Sequence, residues 1–134
     1  FDQGLANKLS MCGNIIIAAG HYKGIDQRVI DNFATMKVSI GNFILSGGEL
    51  PALCIADSIV RLIPGVLNDS ESALNDSFMD GCSIEAPYYT RPAEYRGMKV
   101  PEVLLSGHKA KITEWKNSQS QVITEKWKNI NNVE

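Results

Sequence analysis

Five polar side chains fall where this chain could do acid–base or charge-stabilising work: Asp26, Arg28, Glu49, Arg61 and Asp76. By sequence pattern they lie at loop positions or helix ends. A carboxylate so placed can take a proton, and a guanidinium can stabilise developing negative charge. Each also has an ordinary structural use. Asp26 and Asp76 precede helical text and can cap it. Arg61 follows Asp57 by four, the spacing of a pair on one helix face. Glycine is the second feature. Gly20 and Gly24 bracket one loop, and Gly47 and Gly48 form a turn after a short apolar run. Glycine lets a main chain turn sharply and lets a ligand approach it closely. Such a turn is a weak motif by itself and equally fits an ordinary strand-to-helix connection.

Other chemistries find no support. There is no GxSxG, GxxxxGK, HExxH or GxGxxG, so hydrolase, P-loop, zincin and dinucleotide fingerprints are absent. His21 and His108 are isolated in sequence and suit polar loop or cap positions. The three cysteines, Cys12, Cys54 and Cys82, are far apart and odd in number, the pattern of reduced thiols in a cytoplasmic protein; no metal ligand set is assigned. The opening residues, FDQGLANKLS, lack a basic-then-apolar signal pattern. The longest apolar runs are far too short to span a bilayer, so no membrane role is expected. A net charge of −2 argues against attraction of nucleic acid by the molecule as a whole. Phe1 opens directly into helical text, which suggests a piece of a longer protein.

The elements that must position these residues read as follows. Gly4 to Met11 is amphipathic and helical. Asn14 to Ala19 (NIIIAA) is a β-branched apolar run, the text of a buried parallel strand. It feeds the Gly20–Gly24 loop, after which Asp26 caps a helix. Phe43 to Leu45 reads as a second strand, followed by Ser46-Gly47-Gly48 and a helix with Pro51 at its first position. Two strands thus each deliver a glycine loop and then a helix, and open parallel sheets bind ligands at the carboxyl ends of their strands. Pro64 and Gly65 stop the second helix. Asn68 to Asp76 is small and polar and reads as a linker. Composition then shifts: residues 1–78 carry five basic and eight acidic side chains, residues 79–134 eight and seven. Ser106 can cap a helix with Ile112 and Trp115 on one face, and a further helical segment holds Val122, Ile123 and Trp127. The expected domains are 1–67, a linker over 68–78, and a small helical domain over 79–134. Its lysines form either a solvated face or a phosphate-contacting surface.

Five stretches, in order, carry a resemblance: GHYKGIDQRVID, SIGNFILSGGELPALCIADSIVRLIPGVL, NDSF, YYTRP and VPEVLLSGHKAKITEWK. Together they resemble the bacterial tRNA (guanine-N1)-methyltransferases, the TrmD family of the SPOUT superfamily. The resemblance spans nearly the whole chain. It implies an α/β fold whose parallel sheet contains a deep trefoil knot, followed by a helical C-terminal domain. Nothing in composition or periodicity points to a knot, and the general rule is that chains do not thread. It further implies a cytoplasmic homodimer with a shared active site. The activity implied is methyl transfer from S-adenosyl-L-methionine to N1 of the guanosine following the anticodon of tRNA. Carried over by position, Asp76 is the base and Arg61 the cation. The cofactor would rest on Gly20, Tyr22, Ile40, Gly41, Asn42, Phe43, Ile44, Leu45, Gly47, Gly48 and Pro51. Arg91, Arg96, Lys109, Lys111 and Lys116 would contact tRNA.

This chain departs from the family pattern at Lys23, where the family usually has Glu. An ammonium there reverses the local charge and weakens the case for Mg²⁺ in that loop. His21 and Phe43 replace the more usual Arg and Tyr. The family pattern also begins earlier than this chain. The alternative is therefore a non-catalytic RNA-binding or dimerisation fragment of the same fold.

Overall fold

The computed structural model describes residues 1–67 and 76–131. Contacts between Cα atoms divide the chain into two units, Phe1–Leu74 and Asn75–Glu134.

Among the described residues, three helices hold the first unit. Helix α1, Gln3–Ser10, starts on Asp2, whose Oδ1 accepts the Leu5 N–H at 2.7 Å. Helix α2, Gln27–Phe33, starts on Asp26, whose Oδ1 accepts the Arg28 N–H at 2.8 Å, so the expected cap is formed. Helix α3, Glu49–Val60, packs against α1. Ile55 and Ile59, four apart and so on one face, are buried there, as is Ala6. Full burial of an isoleucine side chain is worth about 1.5–3 kcal/mol, so these two anchor the packing. Pro51 is the third residue of α3 rather than the first. The reason it is tolerated is unchanged, because the first helical bond is Ala52 N–H to Gly48 O at 3.0 Å, and Pro51 precedes it.

The strands expected at Asn14–Ala19 and Phe43–Leu45 do not form: neither run joins a ladder, and no parallel sheet occurs among the described residues. A strand exists only by pairing. Here the two runs meet only at one isolated antiparallel bridge, His21 to Gly47, beyond the end of the first run. Their apolar side chains stay outside, with Ile16 and Ile44 each 97 % exposed.

In the second unit the only sheet among the described residues is a hairpin. Strand β1, Glu94–Tyr95, pairs antiparallel with β2, Met98–Lys99. Arg96 and Gly97 join them with φ of 53° and 81°. Positive φ at both central residues is the type I′ geometry that matches strand twist, and glycine at the second makes it cheap. Helix α4, Glu102–Leu105, is short and packs against α5, Lys109–Asn131. The two helical segments expected in the tail are thus one helix. Ser106 closes α4 instead of capping α5: its hydroxyl donates to Val103 O at 2.7 Å and accepts the His108 N–H at 3.2 Å. Half-buried residues of α5 include Ile112, Trp115, Ile123 and Trp127, a stripe at helical period. Ser120 and Thr124, one turn apart, grip Ile84: the Thr124 hydroxyl accepts its N–H at 2.9 Å and the Ser120 hydroxyl donates to its carbonyl. Phe78 closes on Trp127 edge-on, centroids 5.2 Å apart. Asp76 opens a series of turns, not a helix. Phe78 has φ 66° and Gly81 φ 89°, which break the helical path at once. Of the expected linker, residues 68–75 lie outside the described residues.

Candidate functional site

In the first unit the two glycine loops are drawn together. The Gly48 N–H donates to Gly20 O at 2.9 Å, next to the His21–Gly47 bridge. The approach is close enough to exclude a side chain. A Cβ at Gly48 would stand 3.0 Å from both Ala19 Cα and Gly20 N, backbone atoms that cannot swing aside. At Gly47 a Cβ would meet the Glu49 carboxylate, which is mobile by comparison. The sequence marks both glycines alike; the geometry makes Gly48 the stricter requirement.

His21 Nε2 meets Glu49 Oε1, an ion pair when the imidazole is protonated. This contact ties the first loop to the first residue of α3. Glu49 stood among the candidate polar side chains and His21 did not, and no spacing rule joins two residues so far apart.

The other expected cofactor residues surround this clasp unevenly. Gly20, Gly47, Gly48, Ile40 and Pro51 are half-buried. Tyr22 has φ 58° and is fully exposed, and Phe43, Ile44 and Leu45 are exposed. Gly41 has φ 156°, and Asn42 follows it on the exposed side. The structure therefore brings the ends of the two loops together and leaves the 41–45 segment open. Asp26 and Arg28 belong to neither loop end. They pair with each other, Arg28 Nη2 to Asp26 Oδ2 at 2.7 Å. The Arg28 guanidinium, and then its N–H, hold the Asp26 carboxyl below its ordinary value. The pair's use is the cap of α2.

Arg61 is half-buried at the C-terminal end of α3, and its N–H reaches Asp57 O at 3.2 Å. Asp76 is half-buried in the second unit, and its carbonyl accepts the Met79 N–H at 3.4 Å. The two belong to different units.

Lys23 is exposed in the first loop. No three His, Cys, Asp or Glu side chains group as metal ligands among the described residues. The three cysteines are free and exposed. No described helix is long and apolar enough to cross a membrane.

In the second unit the cations expected to meet nucleic acid, Arg91, Arg96, Lys109, Lys111 and Lys116, are all exposed. Two of them lie over tyrosine rings. Lys116 Nζ is 5.8 Å from the Tyr88 centroid, and Arg96 Cζ is 5.2 Å from that of Tyr95. The tyrosines escaped the sequence reading, although YYTRP and EYRG interleave aromatic and cationic residues. Asp80 is held by the Ser83 hydroxyl, then by the Ser83 and Cys82 N–H groups, and its carboxyl falls to about 2.

The described residues thus hold a glycine-clasped loop pair in one unit and exposed cations beside tyrosine rings in the other. The chain belongs to the tRNA (Guanine-1)-methyltransferase TrmD family, whose family model matches residues 1–130. It is 59 % identical over 120 residues to a tRNA (guanine-N(1)-)-methyltransferase of Bacteroides fragilis, an alignment covering 90 % of this chain and 53 % of that protein. It is 61 % identical over 115 residues to the protein of that name from Flavobacterium johnsoniae, covering 86 % and 50 %. With the one from Chlorobium chlorochromatii identity is 58 % over 119 residues, covering 89 % and 51 %. The chain spans about half the length of the curated relatives it matches.

Proposed function

We propose that the protein acts in methyl transfer from S-adenosyl-L-methionine to N1 of the guanosine following the anticodon of tRNA. The observation that carries this reading is the Gly20–Gly48 clasp in a chain of this family. The names of the relatives agree with it. The clasp leaves backbone without side chains at Gly47 and Gly48, and at Gly48 this is what lets the two loops close, since a Cβ there would meet Ala19 Cα and Gly20 N at 3.0 Å. Beside the clasp the 41–45 segment is exposed, which leaves its main chain open to a cofactor. Gly20, Tyr22, Gly47 and Gly48, together with residues 40–45 and Pro51, would hold it. When bound, the cofactor supplies an electrophilic methyl group.

Guanine N1 carries a proton and is a poor nucleophile until that proton leaves. Asp76 accepts it, and Arg61 stabilises the negative charge that develops at O6. The exposed cations between Arg91 and Lys116 contact phosphates of the tRNA and set its position. Lys23 opposes a divalent cation in the first loop and weakens the case for Mg²⁺ there. In this reading the first domain, 1–67, belongs to a SPOUT fold, although its described residues form no parallel sheet in this structure, and the 68–78 linker joins it to the tRNA-binding domain, 79–134. The working form is a homodimer with a shared site, and the setting is the cytoplasm.

Calorimetric titration with S-adenosyl-L-methionine tests the cofactor half. Saturable heat is expected. A second assay follows methyl transfer to a tRNA transcript with guanosine after the anticodon, and to one with adenosine there. Only the first should be methylated. A folded protein giving neither heat nor methylation would leave the non-catalytic reading in its place.

A further inference from the structure

We infer that Tyr88 and Tyr95 are stacking platforms for unpaired bases of an RNA loop, an inference that rests on the tRNA reading above. The aromatic residues of the second unit divide into two groups. Phe78 and Trp127 face each other, both half-buried, and serve packing. Tyr88 is 71 % exposed and Tyr95 54 %. Packing does not account for either ring.

Both exposed rings are held rather than loose. The Tyr88 hydroxyl bonds to the Glu85 carboxylate. Its neighbour Tyr89 leans on the half-buried Trp115 of α5, centroids 6.2 Å apart. Tyr95 sits in β1, opposite Met98, at the base of the two-residue turn. A ring fixed before binding loses little freedom when a base settles on it.

Charge selects the occupant. Each ring carries a cation against it, Lys116 at Tyr88 and Arg96 at Tyr95. From Tyr88 to Lys116 the sequence has six basic side chains and three acidic ones. An apolar or acidic-poor peptide would leave those cations unused. A polyanion with planar faces uses both cation and ring, which is the combination found at single-stranded nucleic-acid sites. Duplex RNA hides its base faces inside the stack, so the bases must come from a loop.

The test uses the full chain and an RNA stem-loop carrying 2-aminopurine at successive loop positions. Stacking on a tyrosine should quench or shift its fluorescence at one or more of those positions. Tyr88→Leu and Tyr95→Leu keep apolar bulk but remove the aromatic face. Tyr88→Phe and Tyr95→Phe keep the face. Each Leu variant should bind the stem-loop about 5- to 100-fold more weakly and lose the fluorescence change, while each Phe variant retains both. The slope of log affinity against log salt should be unchanged in all four, because no phosphate contact is removed. Leu variants that bind and quench like the parent would overturn the stacking role alone. A parent protein that binds neither the stem-loop nor tRNA would overturn the tRNA reading, and the stacking inference with it.

Discussion

At Asp80 three donors converge on one exposed carboxylate: the Ser83 hydroxyl and the N–H groups of Ser83 and Cys82. They favour the charged form and bring its pKa from 3.8 down to about 2. A depressed folded pKa contributes stability that is present above the unfolded value and lost as pH falls through the folded one. The 80–83 turn should therefore loosen between about pH 4 and about pH 2. Asp80→Asn keeps an acceptor but cannot titrate. Thermal melts of the two proteins across that range should converge as pH falls, and a constant difference would refute the assignment. Asp76, four residues earlier, carries a different expectation. Asp76→Asn keeps shape and polarity but cannot take the N1 proton as a carboxylate does. Single-turnover methyl transfer at saturating tRNA and cofactor should drop by roughly two to four orders of magnitude, the usual worth of a positioned base. The two affinities should change little. A near-normal rate would remove Asp76 from the chemistry.

Among the elements, the clasp depends on one position. Gly48→Val puts branched carbons against Ala19 Cα and Gly20 N, 3.0 Å from where even the Cβ would stand. The loops must part, and the Gly48-to-Gly20 hydrogen bond goes with them. Helix α3 should survive, because Ile55 and Ile59 anchor it further along. Calorimetry should show S-adenosyl-L-methionine binding weakened at least tenfold, with far-UV circular dichroism close to the parent. Gly47→Val should be milder, since the Glu49 side chain can move away. Equal losses at the two positions would mean that close backbone approach is not what distinguishes Gly48.

For the molecule as a whole, net charge is −2, yet the exposed cations gather between Arg91 and Lys116. The proposed attraction to tRNA is then a local one. Lys109 and Lys111 stand in the first turn of α5, exposed. If each meets a phosphate, Lys109→Ala with Lys111→Ala should flatten the dependence of log affinity on log salt by about two units, near 0.9 per contact on duplex RNA or DNA. An unaltered slope would show that neither lysine touches phosphate. Self-association belongs to the same scale. Ile16 and Ile44 are almost wholly exposed, and Phe43 is 59 % exposed. Sedimentation of the proposed homodimer should give about twice the chain mass at micromolar concentration, and Ile44→Lys should reduce that association if this surface is covered in it.

Part of what depended on neighbours in the chain was legible beforehand, although Ser106 and Asp76 do not cap the helices expected to follow them. Asp26 caps α2 because its oxygen reaches an N–H two residues on, and that reach is a property of the local sequence. A helix after the glycine turn, and the faces carrying Ile112 with Trp115 and Ile123 with Trp127, followed from turn chemistry and the helical period, whereas their union in one helix and the exposure of Val122 did not. The family was legible too, because five ordered stretches carry it together. What depended on pairing was not. The runs Asn14–Ala19 and Phe43–Leu45 have the composition of strands, but a strand forms only where another presents a matching ladder, and the described residues present a single bridge. The type I′ hairpin at Arg96-Gly97 needed positive φ at a non-glycine residue, which Arg does not announce. The closeness that singles out Gly48, the grip of Ser120 and Thr124 on Ile84, and the cations over Tyr88 and Tyr95 join groups through space. Composition ranks such groups equally; only their distances in the folded chain separate one glycine, or one tyrosine, from the rest.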